Sequence, residues 1–470
     1  MWKLESKSGI FRLGGRRESG SLADVVEALR KSFGAASVVT DPDITSGYLT
    51  DWTGRYKGEA LCVIRPVNSW QVQRAVEIAS ASHTPLITQG GNTGLVGGAT
   101  PVGGGIVLST QFLKGIDIDE NSRVAKLGAG VTLSELTTKA QEAGLRFAVD
   151  IASRQSATVG GMVATNAGGI HLIQYGGMRQ QLLGIETVLG NGQLISRMEG
   201  LHKDNSGYDW SSILCGSEGT LGVITQVAVK LVSAPVHCSV ALIAVDSLSG
   251  AIRIMRDVRG AFANLDAVEF MSRSGLELVQ RLQGVKWPLK EIPPYALLIE
   301  VEGDDIEVEE IADFLESHED VLDAALANDA RADGLWYWRE QHTVAISHFG
   351  VPHKLDVSLP IGAMAGFVRY VSELLDLEYP QVRAVIFGHL GDGNVHVNLL
   401  NVEESNEELD HEIFATVASY GGSISAEHGI GRAKVHDLSL TRSPQDIESM
   451  RSLKKALDPA LILNPGVLFD

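Results

Sequence analysis

The amino-acid sequence predicts an α+β protein, two domains of mixed helix and strand followed by a short helical C-terminal segment. Three observations carry this reading. Strand-type and helix-type apolar patterns alternate along the whole chain. Glycine is unevenly spread, with 34 of the 51 in residues 1–235 and 17 in residues 236–470, so most of the places where backbone turns tightly or approaches a ligand closely lie in the first half. Pro235 forms a seam, beyond which helical patterns become more frequent.

In chain order, residues 1–50 form a helical lead-in. Leu22, Val25, Val26 and Leu29 recur at helical spacing and predict an amphipathic helix over 21–34. A glycine-rich domain spans 51–235. Ala60–Arg65 reads as a strand, Ser69–Ser82 as a helix capped by Ser69 with Val72, Ala75, Val76 and Ala79 on one face, and Pro85–Thr88 as a strand running into a Gly-rich loop. Ile106–Ser109, Arg123–Leu127 and Gly184–Leu189 are further strands. A second domain spans 236–425, with strands at Val240–Val245 and Ala296–Val301 and helices at Ala251–Arg259 and Ile306–His318. Residues 426–470 form the C-terminal segment, with a helix at Ser443–Leu457 before the tail Asn464-Pro465-Gly466.

Composition narrows the function. A formal net charge of −19 argues against a nucleic-acid binder, which needs a basic face to neutralise phosphates. No stretch reaches the roughly 18 apolar residues of a membrane span. Three cysteines, Cys62, Cys215 and Cys238, make an odd number with no CxxC pair, which fits a reducing compartment rather than a disulfide framework. Lys3, Lys7, Arg12, Arg16 and Arg17 lack a neighbouring apolar run and so make no secretory signal. The cytoplasm is the expected location, and a homodimer is left open.

Three polar Gly-rich loops share the first domain. Gln89-Gly90-Gly91-Asn92-Thr93-Gly94 follows a strand, and its glycines let backbone N–H groups converge on an anion such as a diphosphate. The second loop runs through Ser156, Thr158, Gly160 and Gly161 to Ala164, Thr165, Asn166 and Gly168. The third holds Glu218, Gly219 and Gly222. Any one of these could be a tight turn; together they imply a large, elongated ligand. No GxGxxG and no P-loop occurs, so a Rossmann nicotinamide site and a nucleotide-phosphate loop are not expected.

The densest chemistry is Phe387–Asn398. Asn394, His396 and Asn398 alternate with Val395, Val397 and Leu399, the period of a strand with one polar face. Asp392-Gly393 is a two-residue hairpin signal that would set His389 directly opposite His396 on one face. A lone strand histidine is ordinarily a hydrogen-bonded structural residue; two in register can grip a divalent ion, with Glu427 as the natural third ligand. His428 directly follows Glu427, so a loop or bulge is required there if both serve one site. Arg339 and Thr343 are four apart, one face of a helix that could bind a carboxylate, although by residue type alone a solvated face is the usual answer for such charges. His342, His348 and His353 receive no role.

The stretches ITQGGNTGLVGG at 87–98, VGGMVATNAGG at 159–169 and CGSEGTLGVIT at 215–225 resemble the flavoprotein family of vanillyl-alcohol oxidase and p-cresol methylhydroxylase. KDNSGYD at 203–209 and AVEFM at 267–271 are similar to the D-2-hydroxyglutarate dehydrogenase-like branch of that family. The resemblance implies a two-subdomain FAD-binding module with an α+β substrate (cap) domain. FAD would lie along the three loops, with Ile224 and Asn464 as further cofactor positions. Gln89 and Asn92 stand in the diphosphate loop with no His, so the FAD is expected to be non-covalent. The pattern HxGDGNxH, with EHG, corresponds to a metal site of His389, His396 and Glu427, zinc or manganese, with His428 as the catalytic base. Arg339, Thr343, Lys354 and Asn398 fall at substrate-binding positions. The implied reaction is oxidation of a small D-2-hydroxy acid, foremost D-2-hydroxyglutarate, to the 2-oxo acid, with electron-transfer flavoprotein or a quinone as electron acceptor. D-Lactate or glycolate dehydrogenase is the near alternative, and a metallohydrolase the alternative of another class.

Overall fold

The computed structural model describes residues 22–303, 308–403 and 406–469. The first core lies between two sheets and their helices. Cys62–Ile64 and Leu86–Gln89 both run parallel to Ile106–Ser109 between them, and Val38–Val39 adds an antiparallel edge. The second sheet is antiparallel throughout, in the order Ile116–Asp119, Val124–Gly128, Gly222–Lys230, Leu182–Leu189 and Leu194–Arg197. The C-terminal tail returns to this half. Leu86 donates its N–H to Ile462 O at 2.8 Å, Asn464 donates to Leu86 O at 3.1 Å, and Ile462 and Leu463 join the first-half core.

The second half is built on a seven-stranded antiparallel sheet. Its order is Asp323–Asn328, Cys238–Val245, Tyr295–Glu302, Leu265–Ser272, Arg383–His389, Asn394–Leu400 and His353–Ser358. Helices Leu248–Ala261, Val308–Glu316, Ile361–Glu378 and Glu407–Ser419 cover one face with an apolar core. Helices Arg273–Gln283 and Asp333–Ser347 cover part of the other, packing Trp338 and Leu276 against Met271, Leu298 and Val385. Covered on both faces, strands such as CSVALIAV read as near-continuous apolar runs rather than as alternating ones. The rest of the second face carries the polar residues Glu269, Asp356, His389, His396 and Asn398, all largely buried.

The alternating architecture matches the α+β expectation. The helix expected over 69–82 spans Ser69–Ser82, but its cap is Asn68, whose Oδ1 accepts from Gln71 N at 2.9 Å. Ser69 already has helical backbone, and a capping residue must be the last extended one. The amphipathic helix near the N-terminus spans Leu22–Phe33 and stops at Gly34, with φ of 81°. The helix expected from Ile306 is described over Val308–Glu316; Ile306 lies outside the described residues. So do Lys3, Lys7, Arg12, Arg16 and Arg17.

Candidate active site

The hairpin expected around Asp392-Gly393 exists, with a different register. Phe387 pairs with His396 and Val385 with Asn398, so the turn is wider than two residues and His389 lies diagonal to His396, not opposite it. Because side chains alternate faces with a period of two, a slip of two residues keeps both imidazoles on the same face. Their ring centroids are 5.3 Å apart, edge to face. Gly388 permits the close turn: a Cβ there would lie 2.2 Å from Asn394 O.

Both rings aim Nε2 at one oxygen. His389 Nε2 and His396 Nε2 each lie 3.7 Å from Glu427 Oε1. Behind them, His389 Nδ1 meets Glu269 Oε1 at 2.6 Å, and His396 Nδ1 lies 3.4 Å from Asp356 Oδ1. An imidazole backed by a carboxylate on one nitrogen and open on the other is the arrangement that fixes a ring as a metal ligand. Asp356, His396, Glu427 and His428 also present ligand atoms all within 4.8 Å of one another. The donor set therefore fits a divalent cation. Burial acts against the charged forms of His389 and Glu427. Glu269 and Glu427 nonetheless raise His389 well above its usual value, and His389 brings Glu427 to about 2.

The segment carrying Glu427 and His428 is irregular, as their shared site requires. Asp356 organises it: Oδ2 accepts from the backbone N–H of Glu427 at 2.8 Å and of His428 at 2.9 Å, while Oδ1 accepts from Asn394 Nδ2 at 2.8 Å. The His428 ring stacks on His396 with centroids 5.8 Å apart, and its Nε2 is 4.0 Å from Glu427 Oε1. Burial moves His428 below its usual value, outweighing the pull of Asp356 and Glu427. Burial also disfavours charge on Asp356, but His428, His396 and Lys434 hold it well below the usual carboxylate range.

Arg339 and Thr343 do share a helix, Asp333–Ser347. Arg339 donates Nε to Glu269 Oε2 at 2.6 Å and lies over the Phe387 ring at 4.5 Å, so the carboxylate that orients His389 also orients Arg339. Among the described residues its two terminal NH₂ groups have no acceptor, which leaves the outer edge of the fork open. Lys354 is opposite Asn398 across the ladder. Its Nζ lies 4.7 Å from the Trp52 ring, and burial brings it down to about 8. Asn398 Nδ2 donates to Val385 O at 3.2 Å. His342 and His353 are structural: His342 Nδ1 lies 2.7 Å from Trp338 O, and His353 Nδ1 lies 2.9 Å from Asp410 Oδ1. The sequence pattern does not single out Glu269 or Asp356 as site residues. Asp356 was findable, since it sits two residues from Lys354 on the same strand face; Glu269 comes from a strand distant in sequence.

The three Gly-rich loops converge. A Cβ on Gly91 would lie 1.8 Å from Ser156 O and one on Gly90 2.4 Å from Thr158 Oγ1, so the first loop sits against the second. Gly219, with φ of 73°, lies against the Asn464 amide, and a Cβ on Gly168 would lie 3.0 Å from Glu427 Oε2. The last contact carries the second loop to the histidine site. Several side chains serve this assembly. Gln89 donates to Tyr48 O and Ala99 O, each at 3.0 Å, and Asn92 donates to Thr50 O at 2.8 Å. Glu218 accepts from Ile430 N at 2.9 Å and Gly431 N at 2.7 Å, and Asn464 donates to Gly98 O at 3.1 Å. Thr158 Oγ1 accepts from Gly161 N at 3.3 Å, Asn166 Oδ1 accepts from Arg179 N at 3.0 Å, Thr165 Oγ1 donates to Gly161 O at 3.2 Å, and Ile224 is buried in the core. Among the described residues, the backbone N–H groups of Gly91, Asn92, Thr93 and Gly94 have no protein acceptor. They form a cradle open to an anion.

Comparison with known proteins agrees with this architecture. Residues 60–196 match the FAD binding domain family and residues 234–468 the family of FAD linked oxidases, C-terminal domain. The chain belongs to the FAD-linked oxidase family. It is 36% identical over 457 residues to D-2-hydroxyglutarate dehydrogenase of Xanthomonas citri pv. viticola, covering 94% of this chain and 96% of that protein. It is 35% identical to the mitochondrial D-2-hydroxyglutarate dehydrogenase of Bos taurus, covering 91% and 80% respectively. The fold is that of p-cresol methylhydroxylase, with a TM-score of 0.75 at 15% identity over 94% of this chain and 96% of that one. No helix among the described residues is long and apolar enough to cross a membrane.

Gly91→Ala tests the cradle. With its Cβ driven onto the Ser156 carbonyl, the purified variant should carry much less flavin per chain than the parent, read from the ratio of visible to ultraviolet absorbance. Full flavin content would show that the loop does not grip the cofactor.

Proposed function

We propose that the protein oxidises a D-2-hydroxy acid, D-2-hydroxyglutarate foremost, to the corresponding 2-oxo acid, using non-covalent FAD and one divalent cation, zinc or manganese. The cation would be held by His389, His396 and Glu427. The observation that carries the proposal is the convergence of two carboxylate-backed imidazoles on one Glu427 oxygen, each at 3.7 Å, beside a third imidazole and an open guanidinium edge. The names of the Xanthomonas and bovine relatives support the choice of substrate. Non-covalent attachment is supported by Gln89 and Asn92, whose amides are spent on backbone carbonyls in a loop that contains no His.

When bound, the flavin supplies a hydride-accepting ring and the cation supplies Lewis acidity toward the substrate hydroxyl. The chain does the rest. His428, neutral at pH 7, takes the hydroxyl proton at Nε2, while C2 gives up its hydrogen as hydride and its C–O bond becomes C=O. Asp356, 3.8 Å from His428 Nδ1, stabilises the imidazolium as it forms. The open fork of Arg339, with Thr343 four residues along the same helix, takes a carboxylate bidentately, and Lys354, with Asn398 opposite it across the ladder, provides a second anchor that a dicarboxylate can use and D-lactate cannot. Re-oxidation is assigned to a separate acceptor, electron-transfer flavoprotein or a quinone.

The direct test is anaerobic. D-2-Hydroxyglutarate should bleach the flavin, D-lactate and glycolate more slowly, and acid precipitation should release the colour into solution. Protein stripped by a chelator should stay yellow yet resist bleaching until zinc or manganese is returned. Bleaching at the original rate in metal-free protein overturns the cation's role, and bleaching by D-lactate alone overturns the substrate.

Arg339→Ala removes a charge-assisted bond of about 1.5–3 kcal/mol, which corresponds to roughly 10–150-fold in kcat/KM. Part of the loss should be common to all substrates, because Glu269 also loses a partner and His389 loosens. The remainder should fall on D-2-hydroxyglutarate and not on D-lactate, and Arg339→Lys should not restore it. Equal losses on both acids would place Arg339 on the shared carboxylate or on His389 alone.

The pH profile has a sign for each limb. His428 works as the neutral base, so kcat/KM should fall only below its usual pKa, toward acid. Lys354 must be an ammonium to bind a carboxylate, so kcat/KM for the dicarboxylate should decline as pH rises through about 8. Lys354→Gln should lower kcat/KM and abolish the alkaline limb; an unchanged limb would assign it to another group.

A further inference from the structure

A second cluster of ionisable side chains lies where the two halves meet. His171 comes from the flavin half, at the start of the short helix Leu172–Tyr175. Asp266, Glu300 and Glu302 come from adjacent strands of the seven-stranded sheet. Asp266 is the extra residue of a bulge between Leu265 and Ala267, which turns its side chain out of the ladder. Glu300 and Glu302 are two apart and share a face. All four are buried, Asp266 completely, and their ligand atoms lie within 4.8 Å of one another.

The hydrogen bonding is unusual. His171 Nδ1 and Asp266 Oδ2 form a close ion pair, with Arg146 3.9 Å from the same oxygen, but neither Asp266 oxygen nor His171 Nδ1 has an aligned hydrogen-bond partner. Groups this close that are not aligned on each other are directed at a common point. The outer groups are well held, by contrast. Trp336 Nε1 donates to Glu300 Oε2 at 2.5 Å, Arg146 grips Glu302 at 2.5 and 2.9 Å, and Tyr175 donates to Glu302 Oε2 at 3.3 Å. Carboxylates fixed from behind with an unsatisfied imidazole and carboxylate in front have the layout of ligands with their supporting partners.

The cluster is rich in acid. Three carboxylates share one guanidinium, Arg146, and one imidazole, His171. A divalent ion entering there would displace the protons that otherwise balance the carboxylates.

We infer that His171, Asp266, Glu300 and Glu302 form a divalent-cation site, separate from His389, His396 and Glu427, that clasps the flavin half to the substrate half. One imidazole with carboxylate oxygens suits manganese or zinc. The site takes no part in the chemistry.

The test is metal stoichiometry on the full-length, FAD-loaded protein, stripped with a chelator and dialysed against Mn²⁺. The parent chain should hold about two ions, and the His389→Ala/His396→Ala chain about one, because ligand-dependent binding follows the site that remains. Adding Asp266→Asn to that double variant should remove the remaining ion, as should His171→Gln, which guards against one substitution failing to fold; retained flavin absorbance reports folding in each. In the His389→Ala/His396→Ala chain, Mn²⁺ should raise the Tm, and Asp266→Asn should erase the rise. No ion in the double variant overturns the inference and leaves a network balanced by protons. An ion that survives both Asp266→Asn and His171→Gln also overturns it. One ion in both the parent and the double variant would instead count against the histidine-pair site and leave this one standing.

Discussion

The carboxylate of Asp356 is the contact on which the site depends. It is completely buried, and it is surrounded by Asn394 Nδ2, the backbone N–H groups of Glu427 and His428, and the Nδ1 atoms of His396 and His428. A buried carboxylate this well supplied stays ionised, and each donor is in turn held to one place. The consequence is geometric. The hairpin strand bearing His396, the edge strand bearing Asp356 and the loop bearing Glu427 and His428 come from distant parts of the chain, and one side chain joins them. Lys434 braces the arrangement, donating Nζ to Asp356 O at 3.1 Å and Ile424 O at 2.8 Å.

Glu269 plays the corresponding part on the other side. It orients His389 with one oxygen and Arg339 with the other. The group expected to grip the cation and the group expected to grip a substrate carboxylate therefore share one anchor, so their spacing is set by the length of a single carboxylate. Residues that bind different parts of one small substrate need such fixed spacing.

The flavin half reaches this site through glycine. The first loop packs backbone against backbone at Gly91 on Ser156, where a Cβ would lie 1.8 Å from the carbonyl oxygen, and the second meets the Glu427 side chain at Gly168, where a Cβ would lie 3.0 Å from Oε2. The C-terminal tail closes the assembly. Asn464 bonds both to Gly98 O and to Thr88 N, and Lys454 donates to Thr220 O and Leu463 O, each at 2.7 Å. The segment that carries Glu427 is thereby tied at its far end to the half that binds the cofactor.

Much of this was legible in local pattern. Helix Ser69–Ser82, strand Ile106–Ser109, the Gly-rich loops and the shared face of His389 and His396 all follow from periods of 3.6 and 2 and from turn chemistry, which act over a few residues. The wider hairpin turn left the shared face intact, because a slip of two preserves strand parity. What the local pattern could not contain was the partner behind each imidazole. Glu269 meets His389 only because its strand lies beside Arg383–His389 in the sheet, and Asp356 meets His396 only across the next ladder. The bulge that turns Asp266 toward His171 is likewise a property of strand pairing. By itself the sequence determined the elements, the loops and the reactive residue types, since those depend on neighbours along the chain. The tertiary structure alone decided which carboxylate orients which ring and which guanidinium edge stays open, since burial and pairing are settled between segments far apart in sequence.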